Sequence, residues 1–382
     1  MDNFVVENLG PIAKADVTFG DLTILTGPQA SGKTLFLETF KLCVDTKSIA
    51  ADYLMANGAS NVDIFLDYFY GDHMHDIVNG KTVASLNGSS EHINDRIKGS
   101  VTSIDGKIKD LKQLASVNST LAFAAVMDSL LPKVKYIPAQ RSSVVSEGRI
   151  MLSKDFVNSP YVFIKFSDYL QQYVNTKPTE ILKDTVNDYE FLQNAQINIR
   201  RSAGNQRLVM SIDNQTIPFM AWSTGQRELT TLLMALENKE TEGDNGYIVI
   251  EEPEFGLHPR AIIEFMFTVL KLMKKGVKVV ISTHSSTPLD FVWTMNRLKH
   301  KGVKSFAALA EMFDFKIKDK DFFDGLFEKE VKVYYFAPDP KTRKVNSKDI
   351  SSLDVESDDE DVSNWGGMSL SADRAGSIVS KF

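Results

Sequence analysis

The chain has 382 residues, 43 % hydrophobic and 24 % charged, with a formal net charge of −7 and a single cysteine. This is the composition of a globular protein with a sizeable core; it excludes a chain basic all over, an internal disulfide and a multi-cysteine metal site. Apolar runs such as YIVI and VKVVIS fall far short of the roughly 20 residues that cross a bilayer, and MDNFVVENLG lacks the basic and apolar parts of a secretory signal, so a cytoplasmic protein with no membrane partner is expected.

In chain order, FVVEN, AKADVTF and LTILT read as three short strands, an N-terminal antiparallel β element. They lead into GPQASGKT, residues 27–34, and then LFLETFKLCV, whose apolar residues recur at helical spacing; Cys43 within it reads as a small buried hydrophobe. The loop fits G-x-x-x-x-G-K-[ST], a pattern expected by chance in about one chain in a hundred of this length. Its logic is physical. Gly27 and Gly32 let backbone N–H groups curl around phosphate oxygens, the following helix presents its positive end, Lys33 neutralises the terminal phosphates and Thr34 ligates Mg²⁺.

Residues 47–133 read as a helical insertion broken at GKTVASLNGSS, and VKYIP at 134–138 as a buried strand leading to Gln140. A helical lobe over about 141–235 holds a hairpin pair, NIRRSA and QRLVMSI, and ends in WSTGQRE, where Ser223, Gly225 and Gln226 stand at a helix start, a second anion site. From 222 to 299 the pattern runs helix, strand, helix, strand, helix, which builds a mixed or parallel sheet flanked by helices. One strand, YIVIEE, ends on Glu251 and Glu252. Strand alternation would point them apart, one to a magnesium shell and one to an attacking water, before Pro253 ends the strand. The next, VKVVISTHSS, ends on His284.

Residues 301–382 read as an extension packed on an ATPase domain of residues 1–300. KVYYFAP is a strand in it and 352–364 an acidic irregular segment. Basic stretches at 198–207, 271–278 and 297–304 keep DNA open as a partner.

The ordered set GPQASGKT, PAQ, STGQ, IVIEEPE, GLHP and STH resembles an ABC-type ATPase, and EEPE-x-x-LHP with the divergent STGQ resembles the soluble SMC/RecF/OLD-like branch, a P-loop α/β fold. The resemblance implies the cofactors ATP and Mg²⁺, with Gly27, Ser31, Gly32, Lys33 and Thr34 on the nucleotide and Thr34, Gln140 and Glu251 around the metal. It makes Glu252 the catalytic base, His284 the switch histidine and Gln140 the residue joining metal to water. Ser223, Gly225 and Gln226 would then contact ATP held by a second copy, giving a head-to-tail homodimer or higher homo-oligomer, and Glu254 would belong to a loop approaching that copy. The chain departs from the family at Gln29 and Ala30, where asparagine and glycine are common, at Thr224 for glycine and at Glu251 for aspartate; slow turnover is expected.

The functional expectation is an ATP-hydrolysing switch in anti-phage defence or DNA maintenance that controls a separate effector, a nuclease or toxin. The alternatives are the ATP-binding subunit of a transporter and a scaffold that holds ATP without useful hydrolysis. OLD-type proteins carry a nuclease after the ATPase, but ESDDEDVS is not preceded by the apolar strand such a metal site needs, and no fused nuclease is expected.

Overall fold

The computed structural model describes residues 2–57, 61–114, 131–156, 158–177, 180–183, 185–192, 194–202, 205–213, 215–237, 246–301, 307–313 and 325–368. A ten-stranded sheet organises them. It contains β1 (Asn3–Leu9), β2 (Ile12–Thr18), β3 (Leu22–Thr26), β4 (Val78–Leu86), β5 (Ser89–His92) and β6 (Val134–Ile137). A two-stranded ribbon, β7 (Val145–Ser146) with β8 (Arg149–Ile150), and a four-stranded sheet of β9 (Glu180–Ile181), β10 (Gln196–Ser202), β11 (Asn205–Ile212) and β12 (Gln215–Pro218) stand apart. The main sheet is completed by β13 (Tyr247–Glu251), β14 (Lys278–Thr283), β15 (Val331–Pro338) and β16 (Val345–Asp349), in the order β5-β4-β1-β2-β16-β15-β3-β14-β13-β6. Its β15-β3-β14-β13-β6 portion is parallel and the β5-β4-β1-β2 portion antiparallel.

Both faces of the parallel portion are covered, which is why its strands read as unbroken apolar runs. Along β13, Ile248 and Ile250 enter one core cluster while Tyr247 and Val249 enter the other, and along β14 Val279 and Ile281 split from Val280 in the same way. The first cluster contains residues of α4 (Tyr161–Thr176), α5 (Thr224–Glu237), α6 (Pro259–Lys274) and α7 (Thr287–His300). The second contains α1 (Lys33–Asn57), α2 (Val62–Tyr70) and α3 (Ile93–Leu114). Two short helices, α8 (Ala307–Met312) and α9 (Glu360–Ser363), complete the set among the described residues, and no described helix is long and apolar enough to cross a membrane.

Two segments differ from the sequence reading. GKTVASLNGSS is a hairpin, not a break: β4 and β5 meet at Asn87 and Gly88, both at positive φ (51° and 80°), the backbone a two-residue hairpin turn requires. The expected insertion is thus helices plus a hairpin on the sheet edge; residues 115–130 of it lie outside the described residues. The C-terminal segment is woven into the sheet instead of laid against it. β15 pairs with β3 and β16 with β2, so residues from beyond 330 join the antiparallel and parallel portions. Within the acidic segment, Lys348 binds Asp359 at 2.6 Å and Asp361 at 2.7 Å, which orders part of it.

A buried ion pair fixes where β6 begins. Lys41 and Asp45, 1 % and 2 % exposed and 3.0 Å apart, sit at a kink in α1. Asp45 accepts from the Lys133 and Val134 amides and Lys41 donates to the Val134 carbonyl. Asp45→Ala strands a buried ammonium and should cost about 3–5 kcal/mol in urea unfolding; a loss below 1 kcal/mol would show that the pair does not anchor the strand.

Candidate nucleotide and catalytic site

The glycine loop joins β3 to α1. Gly27 and Gly32 take φ of 146° and 85°, and a Cβ on either would meet the Phe336 carbonyl or the Ile12 side chain at 2.9 Å. Ala30 takes φ 59°, a conformation glycine adopts more readily, so the expected departure from the family costs local strain. Lys33 folds back into the loop, donating to the Gly27 and Pro28 carbonyls at 2.9 and 3.0 Å and to Ser31 Oγ at 3.2 Å. Burial pulls its ammonium down to about 8, opposed by Glu252, Glu254 and Glu251. The charges of three carboxylates at and just beyond the end of β13, two places from β3 in the sheet, therefore act on this lysine.

Those acids are sorted by backbone conformation. β13 stops at Glu251, and Glu252 turns left-handed, at φ 40°, with its amide on the Ser282 carbonyl at 2.8 Å. The separation expected from strand alternation is produced by this turn instead. A strained non-glycine residue pinned at a cluster of charged groups is the kind of outlier that marks function. Glu251 points inward at 4 % exposure, with its Oε1 buried and unpartnered. Burial pushes its carboxyl up to about 7, against the Thr34 and Tyr136 hydroxyls that lower it. Glu252 contacts His284 Nε2 through Oε1 at 3.1 Å, and that bond, working against partial burial, holds its carboxyl below the usual range. Glu254 turns inward too, accepting from Thr283 Oγ1 at 2.8 Å and the His284 amide at 2.6 Å.

Gln140 lies exposed at the end of β6, its carbonyl accepting from Ser143; no hydrogen bond joins it to the acids among the described residues. The fully buried residue after it, Arg141, was not singled out in the sequence. Arg141 donates to the carbonyls of Pro138, Glu251 and Glu252 at 3.3, 2.8 and 3.3 Å. The signal available was an arginine directly after the strand, in PAQR.

Ser223, Gly225 and Gln226 are not brought to the glycine loop. Ser223 Oγ accepts from the Gln226 amide at 3.2 Å and Gln226 Oε1 from the Ser223 amide at 2.9 Å, a reciprocal capping box that starts α5. Ser223 and Gly225, with Thr224 between them, line a cleft of about 570 Å³ with Gly256, Leu257, His258, Arg260 and Phe191. Gly225 is packed so closely that a Cβ would stand 2.8 Å from the Gly256 carbonyl. The basic stretches carry neutralising partners: Lys271 pairs with Asp188, Lys278 with Asp2 at 3.0 Å, Arg207 with Glu147 at 3.1 Å and Arg297 with Asp354 at 3.5 Å.

The donor set fits Mg²⁺ with ATP. No described cluster of three or more His, Cys, Asp or Glu could hold a metal alone. A cation that takes one or two protein oxygens and completes its shell from phosphates and water needs only an orphaned carboxylate oxygen and a hydroxyl, here Glu251 and Thr34. A pH test follows for the protein without metal or nucleotide. The unfolded Glu251 releases its proton near 4.5 and the folded one near 7, so unfolding releases a proton between these values and stability falls as pH rises through them. Wild type should lose roughly 3 kcal/mol from pH 4.5 to 8 through this group. Thermal melts of Glu251→Gln in a chelator should lack that portion, and identical pH profiles would contradict the assignment.

Comparison with known proteins places part of the chain in an ATPase family. Residues 153–287 match the AAA ATPase domain family, a segment holding Ser223, Gly225, Gln226, Glu251, Glu252 and His284 but not the glycine loop. The Old nuclease of Escherichia phage P2 is 43 % identical over 53 residues, 14 % of this chain and 9 % of that protein, so the match spans under a tenth of its length. Similar solved structures include an Smc head bound to the C-winged helix domain of ScpA, at 10 % identity and TM-score 0.43 over 91 % of this chain and 97 % of that one. An SMC head domain from Thermotoga maritima aligns at 11 % identity and TM-score 0.34, covering 75 % and 90 %. A bacterial ABC transporter cassette solved as a dimer gives 11 % and 0.34, covering 74 % and 88 %. The family match supports an ATPase, and the Old nuclease match a local likeness to an OLD-type protein.

Proposed function

We propose that this SMC/OLD-like ABC-type ATPase hydrolyses ATP at sites shared by two copies of the chain, and uses that cycle to switch a separate effector in defence or DNA maintenance. The observation that carries the two-copy reading is the split of the site. Lys33, Glu251, Glu252 and His284 converge at one end of the parallel sheet, while Ser223 and Gly225 line a different cleft. A second copy facing the first would supply the missing half to each.

In this reading the loop amides and Lys33 bind the phosphates, and Lys33 exchanges its carbonyl partners for phosphate oxygens. Glu252, kept ionised by the His284 ring, accepts the proton of the water attacking the γ-phosphate, and the Nε2 proton of His284 holds the carboxylate in place. Glu251 and Thr34 would hold Mg²⁺, which when bound neutralises charge on the phosphates. Serine, glycine and the start of α5 from the second copy would meet the same γ-phosphate with backbone donors.

Complementation tests the shared site. Ser223→Arg and Lys33→Met chains should each be inactive, but mixing them leaves one intact site per mixed pair, so ATPase activity should return. No recovery at any mixing ratio would contradict the reading.

A further inference from the structure

Arg141 occupies a position that links the turn at Glu252 to α5. Its guanidinium is 0 % exposed and its two Nη atoms hold the carbonyls of Glu251 at 2.8 Å and Glu252 at 3.3 Å. Its Nε faces Glu228 Oε2 at 3.6 Å, an ion pair without a hydrogen bond. Glu228, 1 % exposed, lies one turn into α5 from Gly225, and also accepts from the amide and hydroxyl of Ser142. One charged chain of contacts therefore runs from the helix that begins at Ser223–Gly225, through Glu228 and Arg141, to the left-handed backbone of Glu252. Buried ion pairs of this kind seldom add net stability over apolar residues of the same volume. The 3.6 Å gap leaves this one room to tighten.

We propose that Arg141 and Glu228 are positioning residues that make the placement of Glu252 depend on α5, so that hydrolysis is licensed only when that helix engages nucleotide on the facing copy. This rests on the two-copy ATPase reading. When α5 shifts on contact, Glu228 draws the guanidinium, and the fork carries the carbonyls of residues 251 and 252 with it. Glu252 keeps its His284 partner while its carboxylate is aimed. Without engagement the turn stays where it is and water is not activated.

Arg141→Lys and Glu228→Gln keep volume while removing the fork or the charge. Each should lower kcat by about 10- to 100-fold, the effect of a small misplacement of a reacting group, with KM, ATP affinity and ATP-driven association unchanged. The double variant should be no slower than the slower single variant, because both act through one linkage. Wild-type kcat in both variants, additive losses, or a fall of kcat in step with ATP affinity and association would overturn the proposal; if Arg141→Lys does not fold, Glu228→Gln decides it. Failure of the underlying reading would look different: the wild-type chain would not associate on adding ATP, or would turn over equally fast where it is a monomer.

Discussion

Glu252→Gln is expected to lower ATP turnover by about 10²- to 10⁴-fold, the range a positioned general base contributes, while ATP binding is retained or tightened. The amide keeps the size of the side chain and its reach to His284 Nε2, 3.1 Å away in the native protein, but it has no charge with which to accept the water proton. The left-handed backbone at residue 252 is fixed by the Ser282 carbonyl and by Arg141, neither of which depends on the side chain, so the fold should be unaffected. Phosphate release measured under saturating ATP checks this. Turnover equal to wild type would remove Glu252 from the base role and favour a scaffold that holds ATP without using it.

Lys33→Met should produce two effects of opposite sign. ATP affinity should fall by about 100-fold or more, because charge-assisted bonds to the phosphates, each worth about 1.5–3 kcal/mol, are lost. Stability of the nucleotide-free protein should rise, by up to about 2 kcal/mol at neutral pH. The sign follows from the depressed ammonium. Burial lowers it from 10.5 to about 8, so below pH 8 the folded protein carries a charged group it disfavours, and that penalty is relieved only as pH rises toward 10.5. Isothermal titration and chemical denaturation read the two effects separately. Unchanged affinity with lower stability would make Lys33 a structural residue.

Much of this was legible in the sequence because the relevant signals are local. GPQASGKT and YIVIEE stand at strand ends, and the apolar runs before them identify buried parallel strands on their own. What was not legible depends on distant pairing. Nothing in KVYYFAP says that it lies beside LTILT, because an apolar strand shows its burial and not its neighbour. The hairpin at Asn87 and Gly88 was readable from its asparagine-glycine turn but was masked by the polar residues around it. At the site, the direction of Glu252 was expected from strand alternation, yet it follows from a left-handed turn that no residue type announces. Arg141 and Glu228 were missed for a related reason. Each looks like an ordinary surface charge in sequence, and only the tertiary fold shows that they are buried against each other.

The central claim is that two copies enclose ATP between the Lys33–Glu252 end of one chain and the Ser223–Gly225 cleft of the other. The most direct measurement is the solution mass of Glu252→Gln with and without Mg²⁺-ATP, since blocking hydrolysis should trap the enclosed state. The account predicts a mass that doubles on adding ATP and returns to its starting value when Ser223→Arg is introduced into the same chain. A monomer mass under both conditions, with ATP bound, would contradict it.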